Sequence, residues 1–265
     1  MTNSLNALFG GATAGGNLTQ AGAAALAIGD LGTAMQAGLG VDVSDVTAQS
    51  VVLLALIFDD SSSIGYVPGN EQAVRDGSNG ILDALISTKQ VDTIFALETT
   101  LNTGLICPFT PITAAPKLTP VNYRACGGTP LYDTTAVTLG TVIAKHESFA
   151  SNGVQARTVT IIITDGADYG STTHKRPESI QPIIADMLRS EQHVILFLGI
   201  DDGGKTDFRD IARRMGIADN CVLIAGCNAS EIRQKCVMAS QSAVRVSQAA
   251  AQGTNVSQAG GFGGL

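Results

Sequence analysis

Long apolar runs of strand length, alternating with segments of helical spacing, restrict the fold of this chain more than any other feature. Residues 51–58 read VVLLALIF, residues 157–164 RTVTIIIT and residues 193–200 HVILFLGI. A strand with one wet face alternates apolar and polar residues. Unbroken runs suit parallel strands covered on both faces. Residues 91–97 and 221–225 predict two further strands, and residues 105–109, after a turn at 102–104, predict a short antiparallel edge strand. Helices are expected between them over 70–87, 131–149, 178–189 (after Pro177) and 207–215 (stopped by Gly216). A closing helix, capped by Ser230, is expected to run to about Ala250. The expected fold is α/β: a mostly parallel central sheet with one antiparallel edge strand and helices on both faces. In such sheets ligands gather beyond the carboxyl ends of the strands, where the polar loops lie.

The chain of 265 residues allows one such domain with appendages. The domain is read over 48–250. Residues 1–47 form a Gly- and Ala-rich arm, with a helix interrupted by glycine over 18–38. Residues 251–265 form a Gly-rich tail. Both end segments carry Phe-Gly-Gly, at Phe9 and Phe262. Residues 1–17 look flexible, or ordered only by packing onto something. Arms of this kind could also thread onto neighbouring subunits.

The net charge of −7, with no basic cluster longer than pairs such as Lys175-Arg176, argues against nucleic acid and anionic membrane surfaces as partners. No Lys or Arg precedes Arg75, so no secretory signal is visible, and the 51–58 run is too short to span a bilayer. The five cysteines match no metal knuckle. Reduced thiols in a cytoplasmic protein are expected, with a Cys107–Cys126 bridge left open for an exported one.

The first run ends in Asp59-Asp60-Ser61-Ser62-Ser63-Ile64. Alternate residues of an extended turn point the same way, so Asp59, Ser61 and Ser63 can converge. The register that starts at Asp60 would need a hydroxyl where Ile64 stands. The 157–164 run leads into Thr164-Asp165-Gly166, and a loop between them reads Gly127-Gly128-Thr129-Pro130-Leu131. Hydroxyls and carboxylates at one sheet edge suit a hard divalent cation, and soft ligands are missing.

Asp-x-Ser-x-Ser after a buried strand, a later Gly-Gly-Thr-Pro-Leu and a Thr-Asp-Gly after another strand together resemble the metal-ion-dependent adhesion site of von Willebrand factor A domains. The resemblance covers about residues 48–250 and fills all five motif positions: Asp59, Ser61, Ser63, Thr129 and Asp165. It implies a Rossmann-like fold and a Mg²⁺ ion, with Mn²⁺ or Ca²⁺ as substitutes. Ser61 and Ser63 would bind the ion directly, and Thr129 directly when a ligand is engaged. Asp59 and Asp165 would hold the coordinating waters and hydroxyls. The ion would capture an Asp or Glu carboxylate of a protein partner, without catalysis. By family analogy that partner could be an AAA+ ATPase of the MoxR type, for which bacterial domains of this kind act as adaptors. Tyr66, Asp168 and Tyr169 are candidates for the rim.

Residues 199–206, from Gly199 to Thr206, also fit the phosphate-loop pattern G-x₄-G-K-T between a strand and a helix. Against it, Asp201 and Asp202 would face phosphates, and no later strand ends in a metal-holding Asp. The histidines lack a placed Ser or Cys partner and no G-x-S-x-G occurs, which disfavours a hydrolase. Three classes follow: a metal-dependent binding module, a self-assembling structural protein, and a nucleotide hydrolase acting through residues 199–206.

Overall fold

The computed structural model describes residues 2–29, 31–254 and 256–262. The apolar runs form a six-stranded sheet: β1 (Ser50–Phe58), β2 (Ile94–Thr100), β3 (Leu105–Pro111), β4 (Gln155–Thr164), β5 (His193–Ile200) and β6 (Val222–Ala225), in the order β3-β2-β1-β4-β5-β6. All neighbours are parallel except β2 and β3. Pro108 and Pro111, which offer no N–H to a ladder, lie in β3 at the sheet edge.

The absence of alternation in β1 has the expected cause. Val51, Leu53, Ala55 and Ile57 point into one apolar layer, and Val52, Leu54, Leu56 and Phe58 into the other. On the first side lie α5 (Leu131–Ala150), α6 (Gln181–Arg189) and α7 (Phe208–Met215). On the second lie α4 (Asn70–Ile86) and α8 (Ala229–Ala251). The ends of α7 follow capping chemistry: Asp207 accepts a hydrogen bond from Asp210 N, and Gly216 closes the helix at φ 97°. At α8 the cap is Asn228, which accepts from Glu231 N, rather than the expected Ser230. Ahead of α6, Pro177 opens a 3₁₀ turn, and the helix itself begins at Gln181.

The Gly/Ala-rich N-terminal segment forms three helices, α1 (Thr2–Ala14), α2 (Gln20–Ala27) and α3 (Gly32–Gly38). The last two are the halves of the interrupted helix expected over 18–38, and residues 1–17 take the second of the two expected forms, ordered by packing. They pack on the chain's own α5 and α6, burying Leu5, Ala12, Leu26 and Met35. Two charged side chains fix the segment. Buried Asp186 of α6 accepts from Thr19 N and Thr19 Oγ1, both at 2.7 Å. Lys145 of α5 donates to Val41 O. Val41 N in turn donates to Phe109 O of edge strand β3 at 2.8 Å. At the other edge, after the short α9 (Val256–Ala259), Phe262 N donates to Asn220 O just before β6. The second Phe-Gly-Gly begins at this Phe262; its Gly263 and Gly264 lie outside the described residues.

All five cysteines are free thiols, Cys107 buried and Cys126 exposed, so no bridge joins that pair. Among the described residues no single helix is long and apolar enough to cross a membrane.

Candidate metal centre

From β1 the chain moves outward to β2 and β3, then returns through α5 to β4 on the other side of β1. The carboxyl ends of β1 and β4 are thus the switch point of the sheet, where a crevice forms. Asp59 follows β1 and Asp165 follows β4, and Asp59 N donates to Ile163 O at 2.9 Å.

Asp59 is fully buried and both its oxygens are engaged. Oδ1 accepts from Ser61 N at 2.7 Å, which turns the chain. Oδ2 accepts from Thr164 Oγ1 at 2.6 Å and Asp165 N at 3.3 Å, which ties the two strand ends together. The turn brings the Ser61 and Ser63 hydroxyls to 2.9 Å from each other. Both then donate to Asp165 Oδ1, from Ser63 at 2.8 Å and from Ser61 at 3.3 Å. Four of the five motif residues therefore form one connected net.

Thr129, the fifth, is buried beside that net. Its backbone pairs in both directions with Tyr169, with Thr129 N to Tyr169 O at 2.7 Å and Tyr169 N to Thr129 O at 2.8 Å. Its hydroxyl faces the Asp165-Gly166 turn: a Cβ on Gly166 would stand 3.7 Å from Thr129 Oγ1.

Two neighbouring carboxylates make this place short of positive charge. Burial raises the Asp165 carboxyl above its usual range, and the charge of Asp59 raises it further. Burial raises Asp59 as well. Buried Tyr123 donates its hydroxyl to Asp59 O at 2.5 Å. Among the described residues no group of three or more His, Cys, Asp or Glu side chains is placed to hold a metal. Here the donors are two carboxylates and three hydroxyls. An oxygen-only set with a surplus of negative charge fits a hard divalent cation and offers nothing to a soft one.

The remaining candidates divide. Tyr66 and Tyr169 stand in solvent at 78% and 81% exposure, as does Val121 at 87%. Asp168 instead holds the start of α5, accepting from Tyr132 N at 3.1 Å and Ser171 Oγ at 2.5 Å. Asp60, next to Asp59, turns away from the net and is fully buried against Asn102 and Thr103 of the β2–β3 hairpin.

The phosphate-loop reading of residues 199–206 meets a physical obstacle. The amides that would cradle a phosphate are already satisfied. Gly203 N and Gly204 N donate to Asp201, and Lys205 N, Thr206 N and Thr206 Oγ1 donate to Asp202. A phosphate would have to displace two carboxylates of its own sign. The loop is a self-capped turn.

No family model matches the chain, and no curated protein matches its sequence. Solved structures do match its shape. The pilus adhesin SpaC from Lactobacillus rhamnosus GG aligns over 76% of this chain with a TM-score of 0.52 and 13% identity. The alignment covers 31% of the adhesin, so this chain corresponds to about a third of that protein's length. Manganese-loaded TRAP protein from Plasmodium vivax aligns over 69% of this chain and 72% of its own, with a TM-score of 0.45 and 19% identity. Proximal thread matrix protein 1 of the mussel byssus gives 0.46 and 16% over 72% of this chain and 47% of its own. Identities this low speak to the fold alone, and the fold is a six-stranded, Rossmann-like α/β sheet, parallel except for one edge strand.

Proposed function

We propose that this chain is a divalent-cation-dependent binding module in which Asp59, Ser61, Ser63, Thr129 and Asp165 hold Mg²⁺ for capture of a carboxylate from a protein partner. One observation carries the reading. Two serine hydroxyls 2.9 Å apart converge on one oxygen of Asp165, at the switch point of the sheet. With neutral hydroxyls as its direct ligands and the carboxylates behind them, the ion would keep an outward-facing position that attracts an anionic side chain. When bound, the cation supplies an electrostatic anchor. The protein's part is to fix the donors: Asp59 ties the strand ends, Asp165 orients both serines, and the Thr129–Tyr169 pairing sets the third hydroxyl in place. The exposed rings of Tyr66 and Tyr169 would then offer contact area to the partner around the anchor. The chemistry is binding rather than bond breaking.

Metal linkage tests the reading. Mg²⁺ or Mn²⁺ at a hundred times Kd should stabilise the native chain by about 2.7 kcal/mol. EDTA should reverse the shift, and Ser63→Ala should reduce it at the same metal concentration, all read as thermal melting. Identical melting curves of the wild type in Mg²⁺ and in EDTA would sink the proposal.

A further inference from the structure

We propose that Asn102, at the tip of the β2–β3 hairpin, is a positioning residue for Thr129. Anchored on Asp60, it sets where the loop 126–129 presents the threonine hydroxyl. This inference rests on the reading of Thr129 as a ligand of the cation.

The chain of contacts begins at Asp60. Its carboxylate is fully buried and accepts four hydrogen bonds from two adjacent hairpin residues. Oδ1 takes Asn102 N at 2.7 Å and Asn102 Nδ2 at 3.0 Å. Oδ2 takes Thr103 N at 2.9 Å and Thr103 Oγ1 at 2.8 Å. Hydrogen bonds to a buried charge are strong and directional, so the hairpin tip is fixed against the exit of β1. A side-chain amide carries two N–H donors. One from Asn102 goes to Asp60, and the nitrogen also donates to Gly128 O at 2.8 Å, one residue before Thr129.

The loop fits this grip closely. Gly127 has φ +71°, and a Cβ there would stand 2.3 Å from Asn102 Oδ1. A Cβ on Gly128 would stand 2.5 Å from Tyr169 O. The two glycines thus let the backbone pass between Asn102 on one side and Tyr169 on the other. Tyr169 holds Thr129 through the backbone, and Asn102 holds the preceding peptide through its side chain. Asn102 is itself exposed, so its side chain is not part of the apolar core.

A positioning role is separable from general support by a double-mutant cycle. Mn²⁺ affinity would be measured by electron paramagnetic resonance on the full chain, with acetate present in place of the partner carboxylate. Asn102→Ala and Thr129→Ala should each weaken Mn²⁺ about tenfold, the scale of losing an outer-shell or ligand contact. The double variant should bind no more weakly than Thr129→Ala alone, because Asn102 acts through Thr129. Asn102→Ala combined with Ser63→Ala should instead multiply the two losses. Multiplicative losses in the Thr129 pair, or unchanged affinity in Asn102→Ala, would overturn the proposal. Should the wild type bind no Mn²⁺, the cation reading itself fails, and amide exchange in metal-free protein decides the clamp. Faster exchange at Thr129 N–H in Asn102→Ala, with Asp59 N–H unchanged, supports it; unchanged exchange at Thr129 overturns it.

Discussion

Glu98 lies on β2 opposite Leu56 and Cys107, fully buried, and neither carboxylate oxygen has a hydrogen-bond partner among the described residues. Burial pushes its carboxyl up from 4.5 to about 8. The sign of the consequence follows from proton counting. Between those two values the folded chain holds a proton that the unfolded chain has released. The contribution to stability is therefore complete below about pH 4.5 and is lost as pH rises through 8. Glu98→Gln should remove that decline, so urea denaturation at pH 5 and pH 9 should show a smaller loss in the variant than in the wild type. Equal losses would mean that Glu98 has found a partner for its charge. Nothing in the local sequence marks this residue, since a lone Glu in a strand reads as a solvated side chain. The convergence of Asp59, Ser61 and Ser63 was legible because a tight turn at the end of a strand confines them by spacing, whereas Thr129 and Asp165 joined them through the motif resemblance. Asp60 and Asn102 were not legible. Their contact spans 42 residues and depends on how the hairpin folds back.

At the scale of elements, the strands and central helices follow from periodicity, and the N-terminal helices do not. α1 to α3 carry too few large residues for an apolar stripe to stand out from a Gly/Ala background. Their order comes from close approach. Met35 of α3 is fully buried against α5, where a Cβ on Gly140 would stand 2.8 Å from the methionine Sδ. If this segment belongs to the folding unit, Met35→Ala should cost about 2–5 kcal/mol in a single cooperative transition. A loss below about 0.5 kcal/mol, the level of a surface substitution, would show that the segment is an appendage after all. Small residues have a second consequence here. Helices that bury little side-chain area rely on their anchors, which explains why a buried aspartate and a buried lysine are committed to the segment.

At the scale of the whole molecule, the layer architecture and the place of the antiparallel strand were readable from the strand runs and the turn at 102–104. The use of the end segments was not, because edge coverage depends on neighbours far along the chain. Val41 on β3 and Phe262 beside β6 place backbone against both borders of the sheet. Exposed borders invite pairing with other chains, and these contacts shorten them. If the proposed cation site is correct, the juxtaposition of Asp59 and Asp165 sets stability against binding. Metal-free protein bears the cost of two buried like charges, and the same repulsion is what a cation would relieve. Asp165→Asn keeps an oxygen for the two serines and removes one charge. It should melt higher than the wild type in EDTA and gain nothing from Mg²⁺, whereas a lower melting point in EDTA would refute the trade-off. Selection for heat resistance in chelating buffer would then favour variants that have lost the site, and a binding-competent chain would be the less robust of the two until its ion arrives.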